Sequence, residues 1–482
     1  MPANIPPAEP PIGESFCRHH KAASVWATVK DALRGSRQDF TQIPVGRAVV
    51  LLAVPMVLEM SMESLFVVVD IFWVSRLGAD AVATVGLTES LLATIYAVAV
   101  GLSIAATAVV ARRTGEKDAE GASVAAVQII AVSVLAALAI AVPGLLFGPE
   151  LLGLMGGSPS VVAIGSGYTT VMLGGNVTII LLFILNAIFR GAGDAATAMR
   201  TLWMANILNM VLGPCLIFGL GPLPEMGVTG AAMATTIGRG VGVTYQCFML
   251  GRGDGRVSVL RRHVRVQWDV MQGMLRVAGP ATLQMLIETT SWVGLVRILA
   301  DFGSAALAGY TIAIRVAIFA LLPSEGMANA AATLVGQNLG AGRADRAERS
   351  VWVVGLYNVL FLGLVSVAFL TLSDPIVRFF TADVAVVTYG VDCLQIIALG
   401  FLFFAYGMVI VQAFNGAGDT RTPTVLYLAC FWLFKIPAAY VLAVPAGFGP
   451  NGVFAAITAA YSMLAVTGVL FFRRGRWKRQ RV

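Results

Sequence analysis

Long apolar runs restrict this chain's fold more than any other feature of its sequence. A helix needs about 20 apolar residues to cross the hydrocarbon core of a bilayer. Glycine, proline and charged residues divide most of the chain into twelve such runs, and no polar stretch between them is long enough for a soluble catalytic domain. We therefore predict an all-α integral membrane protein with twelve transmembrane helices near residues 47–75, 84–110, 122–146, 160–188, 197–218, 227–249, 271–300, 306–336, 349–372, 384–413, 421–444 and 452–472.

The composition agrees with a chain embedded in lipid. Hydrophobic residues make up 58% and charged residues 12%, whereas a soluble domain has about 25% charged residues. All three histidines lie in polar segments, so we expect no metal site. The sequence shows neither a phosphate-binding loop with its lysine nor a constellation of nucleophiles for hydrolysis. We predict that the chain is not an enzyme and has no cofactor.

The basic residues predict the orientation. If the N-terminus is cytoplasmic, 26 of the 33 Lys and Arg residues fall in cytoplasmic segments and only Arg76 and Arg378 in outer loops. Basic loops stay on the inner side of the membrane, so both termini are predicted to be cytoplasmic. This placement also explains the net charge of +7 without a nucleic-acid partner. The predicted segments are an N-terminal tail 1–46, an N-lobe 47–249, a linker 250–270, a C-lobe 271–472 and a basic tail 473–482.

The second half of the chain repeats the first half without a gap. Pro55 and Pro280 are 225 positions apart, and the same offset relates Glu63 to Glu288. The sequence GAGD occurs at 191–194 and again at 416–419, at predicted helix ends. With six helices in each half, the halves share one orientation, and transporters with parallel repeats bind substrate between them. We expect two pseudo-symmetric six-helix lobes with a site at their interface.

Carboxyl groups inside the predicted helices are the main candidates for function, because an ionisable group in hydrocarbon costs at least about 2.5–3.5 kcal/mol. Glu59, Glu63 and Asp70 occupy one face of the first helix at spacings of four and seven residues. Glu288 is the repeat partner of Glu63, but Leu295 stands where Asp70 would repeat. The lobes are therefore predicted to differ chemically. These carboxyl groups bind a coupling proton or sodium ion in one interpretation.

The alternative interpretation of these acids is structural, with each carboxylate paired to a basic residue inside the bundle, such as Arg297, Arg315 or Lys435. Flexible methionine and flat aromatic side chains suit varied apolar cations, although contact with lipid or another helix is the simpler role for any one of them. The predicted substrate-cavity residues are Met60, Phe66, Met285, Trp292 and Tyr310.

Several segments together resemble the multidrug and toxic compound extrusion (MATE) transporters over about residues 40–472. They are the stretch from Pro55 through VVVDIFWVSRLGADAVATVGL, the paired FRGAGD and FNGAGDTRTP segments, GVTGAAMAT and AGYTIAIR. The resemblance implies two six-helix lobes with a central cleft. It also implies a cation-coupled antiporter in the inner membrane that exports amphipathic, often cationic compounds by alternating access.

The resemblance assigns coupling roles residue by residue. In the DinF-like branch the first-helix aspartate falls on Asp70, and its polar neighbours fall on Asn186, Asn209 and Thr235. The seventh-helix glutamate of the NorM-like branch falls on Glu288. The chain departs from these patterns where each branch has a further aspartate, since Gly213 and Phe404 stand there. The coupling ion therefore stays open between H⁺ and Na⁺.

Two other functions remain as alternatives. One is a lipid-linked oligosaccharide flippase of the same superfamily, although the acidic first helix favours cationic cargo. The other is a membrane receptor or scaffold that transports nothing. The expected partners are small amphipathic cations and the lipid bilayer, and we expect a monomer.

Overall fold

The protein is all helical in the computed structural model, which describes residues 25–36, 38–253 and 255–480. A short helix, α1 (Val25–Arg34), precedes two sets of longer ones. The N-lobe contains α2 (Val45–Ser75), α3 (Ala79–Gly115), α4 (Ala119–Leu154), α5 (Pro159–Gly174), α6 (Asn176–Gly191), α7 (Ala195–Phe218) and α8 (Val228–Arg252). The C-lobe contains α9 (Trp268–Ala300), α10 (Ser304–Gly340), α11 (Ala344–Arg378), α12 (Val384–Leu399), α13 (Phe401–Ala417), α14 (Arg421–Tyr427), α15 (Ile436–Ala443) and α16 (Pro450–Arg473).

Among the described residues, eight helical segments are long and apolar enough to cross a membrane by themselves, and two bent pairs qualify when each pair is counted as one span. The pairs are α5 with α6, bent by 40°, and α12 with α13, bent by 58°. The remaining two helices, α8 and α9, have 25 and 33 residues but are more polar. Together these segments make up the twelve predicted helices.

Both bends occur at glycines related by the repeat. The sequence predicts uninterrupted helices over 160–188 and 384–413, but Gly175 and Gly400 divide them. A Cβ atom at either glycine would crowd a threonine on a neighbouring helix, Thr236 or Thr458. The broken helices are therefore a shared property of the two lobes.

The GAGD segments end one helix and begin the next, as predicted. Gly193 and Gly418 have φ of 85° and 84°, in the left-handed region that glycine favours. Asp194 then caps α7, since its Oδ1 accepts a hydrogen bond from Thr197 N at 3.2 Å. In the second repeat Asp419 accepts the same bond from Thr422 N at 3.2 Å. The paired sequences thus build the same turn twice.

Each lobe has its own hydrophobic core, and a third core joins the lobes at one end of the molecule. Symmetry-related glycines allow close approach there. A Cβ atom on Gly115 of α3 would overlap the Gln337 carbonyl of α10, and one on Gly340 of α10 would overlap the Arg112 carbonyl of α3. We call this end, with the loops around Gly115 and Gly340, the closed end.

Basic side chains connect the lobes at the closed end. Arg112 on α3 donates to the Ala417 carbonyl at 3.3 Å and to the Gln480 carbonyl at 3.0 Å. Arg343 at the start of α11 donates to the Thr41 carbonyl, in the segment between α1 and α2, at 2.8 Å. Because these bonds involve both ends of the described chain, the N- and C-terminal segments help to hold the two lobes together.

Candidate functional site

A cavity of about 400 Å³ lies between the two lobes. Its wall includes residues of α2, α3, α6, α7 and α8 from one lobe and of α9, α10, α13, α14 and α16 from the other. Ionisable side chains are unusually frequent for a membrane-embedded space. The acids in the wall are Glu59, Glu63, Glu288 and Glu325, and the bases are Arg190 and Arg239.

A buried ion pair forms part of the N-lobe wall. The Arg190 guanidinium on α6 donates to Glu59 Oε1 on α2 at 3.1 Å, and the two side chains are 11% and 1% exposed. The other carboxylate oxygen of Glu59 is buried without a hydrogen-bond partner. A paired charge costs less to bury than an isolated one, so this pair makes the Glu59 carboxylate compatible with its apolar helix.

Glu63 lies one helical turn after Glu59 and has different partners. Its Oε2 accepts a hydrogen bond from Asn206 Nδ2 on α7 at 3.0 Å. The nearby Arg239 on α8 is 8% exposed and donates to Tyr96 Oη at 3.5 Å. One terminal nitrogen of Arg239 is buried without a partner. This guanidinium interacts electrostatically with both Glu63 and Asp70, so it connects the cavity with the interior of the N-lobe.

The C-lobe wall has a different arrangement around its glutamate. Glu288 Oε1 on α9 accepts a hydrogen bond from Tyr461 Oη on α16 at 3.0 Å. Lys435 is fully buried next to this pair, and its Nζ lies 5.7 Å from the centroid of the Tyr461 ring. Further along the wall, Gln412 donates to Glu325 Oε1 at 2.6 Å.

The cavity brings together about half of the residues that the sequence predicted for the site. These are Glu59, Met60, Glu63, Asn186, Met285 and Glu288. Asn186 accepts a hydrogen bond from Gln246 Nε2 at 2.6 Å. Glu59 and Glu63 of α2 and Glu288 of α9 therefore line the same cavity from opposite lobes.

The remaining predicted residues lie outside the cavity wall. Asp70 is half-buried near the far end of α2, in the electrostatic range of Arg239 and Glu89. Asn209 and Thr235 bind each other inside the N-lobe, with Asn209 Nδ2 donating to Thr235 Oγ1 at 2.7 Å. Across the described ranges no hydrogen bond joins Asp70 to this pair. The coupling set implied by the resemblance stays a prediction.

Three predicted cavity aromatics are part of the lobe interiors instead. Phe66 is buried in α2. Tyr310 stacks on Phe454 in the C-lobe core, with ring centroids 6.2 Å apart. Trp292 is partly buried against the C-lobe core and contacts Lys435. Apolar composition alone does not distinguish such core positions from the cavity wall.

The structural pairing that the sequence suggested for the first-helix acids was wrong in its partners. Arg190, and neither Arg297, Arg315 nor Lys435, pairs with Glu59. Arg297 is bound to Asp301 at 3.1 Å on the protein surface. Arg190 lies in the last turn of α6, directly before the GAGD turn.

Comparison with known proteins identifies the family. The MatE family model matches residues 55–215 and again 280–441. The chain belongs to the MatE family. The two matched segments correspond to the two sequence repeats and to the two lobes, which confirms the resemblance and the predicted two-lobe fold.

Three similar proteins cover nearly the whole chain. A probable multidrug resistance protein NorM of Thermotoga maritima is 26% identical over 89% of this chain and 93% of its own. An FAD transporter of Shewanella oneidensis is 24% identical over 84% of this chain and 89% of its own. A crystal structure of MATE in complex with MaL6 has a TM-score of 0.86 and 26% identity, over 92% of this chain and 99% of that one. The relatives of this chain thus include a probable multidrug resistance protein and a transporter of FAD.

Proposed function

We propose that this protein exports amphipathic organic cations in exchange for protons or sodium ions. The observation that carries the proposal is the cavity between the lobes, whose wall combines four carboxyl groups with apolar side chains. A large cation with an apolar body needs both, because its charge is stabilised by carboxylates and its body by burial. The similarity to a probable multidrug resistance protein of Thermotoga maritima supports a role in the export of drugs.

Coupling to an ion needs a carboxyl group that binds the ion in one state and releases it in the other. Asp70 is our candidate for this role, because it is a half-buried carboxyl group on the helix that also carries Glu59 and Glu63. Asn186, Asn209 and Thr235 are proposed to assist it, and Glu288 to bind the cation or the cargo's charge. The interaction of Arg239 with both Asp70 and Glu63 gives a physical route between ion and cargo.

The asymmetry of the lobe interface supports transport by alternating access. The described hydrogen bonds between helices of the two lobes cluster at the closed end, where Arg112 and Gln337 of α3 and α10 reach across. Basic loops mark the cytoplasmic side of a membrane protein, and the closed end is the basic one. We propose that the lobes are closed toward the cytoplasm in this structure, with both termini there and the protein in the inner membrane.

The test uses purified protein in liposomes preloaded with a fluorescent organic cation such as ethidium. A pH gradient and a sodium gradient are imposed separately on wild type, Asp70→Asn and Asp301→Asn. We expect one gradient to drive dye movement in wild type and in Asp301→Asn, whose carboxyl group is on the surface. The same gradient is expected to fail in Asp70→Asn. Equal dye movement in the Asp70 variant would refute its coupling role.

The same assay separates the alternatives. Dye movement under neither gradient would contradict ion-coupled export of cations. A lipid-linked oligosaccharide flippase would instead move a labelled lipid between leaflets of the same liposomes. A receptor or scaffold would move neither compound. Light scattering of the purified protein tests whether it is a monomer.

A further inference from the structure

The span α14–α15 has an irregularity that its counterpart α7 lacks. Residues Leu428–Lys435 form a π-helical segment, with the wider i→i+5 hydrogen-bond pattern, between α14 and α15. Pro437 lies two residues after this segment and has no N–H to donate, so it interrupts the regular pattern. π-helical turns are rare and occur frequently at functional sites. The last residue of this segment is Lys435.

The Lys435 ammonium occupies an aromatic cage. Its Nζ lies 4.4 Å from the ring centroid of Phe431, 4.6 Å from that of Trp292 and 5.7 Å from that of Tyr461. The three rings come from the π-helical segment, α9 and α16. Within the part of the chain that the structure describes, this Nζ has neither a hydrogen-bond nor a salt-bridge partner. A buried ammonium held by ring faces resembles the way aromatic cages bind organic ammonium ions.

One ring of the cage connects Lys435 to the cavity. Tyr461 offers its ring face to the ammonium and donates its hydroxyl to Glu288 Oε1 at 3.0 Å. Both Tyr461 and Glu288 line the cavity, whereas Lys435 is fully buried behind them. The ammonium of Lys435 therefore attracts the Glu288 carboxylate electrostatically from outside the cavity. Charges interact strongly there, because the protein interior has a low dielectric constant.

The first repeat has no such cation at the corresponding place. Met210 stands 225 positions before Lys435 and Val67 before Trp292. Asn206, the counterpart of Phe431, donates a hydrogen bond to Glu63. The lysine and its cage are therefore additions of the second repeat, whereas the glutamate that they flank is common to both repeats.

We propose that Lys435 is a tethered cation that competes with cationic cargo for the negative charge of Glu288. Its cage keeps the ammonium close to the carboxylate without a direct ion pair, so that Glu288 remains accessible from the cavity. Lys435 thereby sets how tightly the C-lobe end of the cavity binds organic ammonium or phosphonium ions. This inference rests on the proposed export of organic cations.

The experiment measures equilibrium binding of tetraphenylphosphonium to the purified full-length protein. Lys435→Met removes the charge and puts the residue of the first repeat in its place, while a flexible methionine still packs against the rings. We expect this variant to bind the cation about tenfold more tightly, a typical coupling between two sites. Lys435→Arg keeps the positive charge and is expected to bind like wild type.

A double-mutant cycle with Glu288→Gln shows whether the effect acts through that carboxylate. Glu288→Gln alone leaves the ammonium uncompensated and is expected to bind the cation more weakly than the double variant Glu288→Gln/Lys435→Met. The increase in affinity for tetraphenylphosphonium caused by Lys435→Met must also differ between the Glu288→Gln background and wild type. If Lys435→Met alone does not fold, the comparison of Glu288→Gln with Glu288→Gln/Lys435→Met still tests the inference, because equal binding by these two variants would overturn it.

The outcomes distinguish the inference from the proposed function. Unchanged or weaker binding in Lys435→Met, with normal binding in wild type, overturns the competition and leaves cation export intact. An equal gain from Lys435→Met with and without the Glu288 carboxylate also overturns it, since the two charges would then be independent. Failure of wild type to bind or move any organic cation refutes the proposed function itself.

Discussion

The two lobes use the same backbone architecture to present different charges. The glutamate that faces the cavity is common to both, as Glu63 and Glu288. One turn earlier, the first repeat has Glu59, whereas the second has the neutral Gln284 at the same place. The partner of Glu59 is Arg190, and its counterpart in the second repeat is Asn415. An ion pair in one lobe is thus replaced by two amides in the other.

The contrast extends to the cations near the shared glutamates. In the N-lobe the cation is Arg239 on α8, which lines the cavity itself. In the C-lobe it is Lys435, on a different helix and behind the wall. The repeat therefore preserves features that depend on backbone packing, such as turns, bends and glycine contacts. The charged side chains that we propose to bind ion and cargo vary between the lobes, because they need only reach the same cavity.

The largest effect should come from breaking the ion pair that only the N-lobe has. Glu59→Gln leaves the Arg190 guanidinium buried without its carboxylate, and removing one partner of a buried pair costs about 3–5 kcal/mol. The double variant Glu59→Gln/Arg190→Asn gives the N-lobe the amides of the C-lobe. We expect it to recover most of the lost stability. Thermal unfolding of the purified proteins measures both effects.

The matched control is the change in the opposite lobe. Gln284→Glu with Asn415→Arg would place the N-lobe pair at the C-lobe positions, where both residues also line the cavity. If the two lobes were equivalent, this variant would be as stable as wild type. The double variant Glu59→Gln/Arg190→Asn could also prove as unstable as Glu59→Gln. That result would show that Glu59 stabilises the fold by some means other than pairing with Arg190.

A second prediction concerns the symmetric glycine contacts at the closed end. Gly115→Val places side-chain atoms where the Gln337 carbonyl lies, and Gly340→Val does the same at the Arg112 carbonyl. Overpacking a close contact costs about 1–3 kcal/mol, which is enough to shift the protein toward a state with this end open. Labelling of a single cysteine introduced near the closed end should become faster in both variants.

The control for this labelling experiment is Gly86→Val, because Gly86 lies on the same helix as Gly115 and a Cβ there meets open space. Its labelling rate should equal that of the unsubstituted protein. Since Gly115 and Gly340 are related by the repeat, their effects should be similar in size. Faster labelling in only one of the two variants would show that the lobes do not contribute equally to closure.

The sequence predicted the fold well because the fold depends on signals along the chain. Apolar runs and a constant repeat offset can be found along the chain without knowledge of its packing, and they correctly predicted the helices, the two lobes and the GAGD turns. It predicted the cavity only in part. Glu63 and Glu288 were found because acids are rare in apolar runs. Arg190 was missed because a helix end next to a loop does not reveal which way its side chain points.

Other parts of the site depend on packing between distant helices, which no spacing reveals. The cage of Trp292, Phe431 and Tyr461 combines three separated segments around Lys435. One signal was present in the sequence: a lysine in the middle of an apolar run, two residues before a proline. A lone cation in hydrocarbon needs a compensating environment. The sequence offered Glu59 and Glu63 as possible partners of Lys435. The fold instead places Lys435 next to the Tyr461–Glu288 pair.

A third prediction uses the open space beside Asn209. A Cβ atom on Gly213 would meet only Asn209 Oδ1, at 4.0 Å, and the DinF-like branch has an aspartate at this place. Gly213→Asp should therefore fit and add a carboxylate next to the Asn209–Thr235 pair. Because hard cations prefer oxygen ligands, we expect sodium to bind the N-lobe about tenfold more tightly. Sodium-dependent quenching of tryptophan fluorescence measures this change.

Gly213→Asn is the uncharged control for this prediction. An equal fluorescence response in Gly213→Asn would show that the added charge is not responsible.

The smallest predicted effect is at the closed end, in the segment between α1 and α2. Burial alone would raise the pKa of Asp39, but hydrogen bonds from Thr41 and the charges of Lys117 and Arg256 outweigh it and hold the pKa below its usual value of 3.8. A carboxyl group with a depressed pKa stabilises the folded state above its unfolded pKa, and this contribution is lost as the pH falls through the folded pKa. The Asp39 side chain is 41% exposed, so solvent screens the interaction to below about 1 kcal/mol. Asp39→Asn should therefore unfold slightly more easily than wild type at about pH 7, and the difference should shrink as the pH falls below 3.8 and through the folded pKa. A difference between the two proteins that persists or grows in acid would mean that the Asp39 side chain stabilises the closed end through its shape rather than its charge.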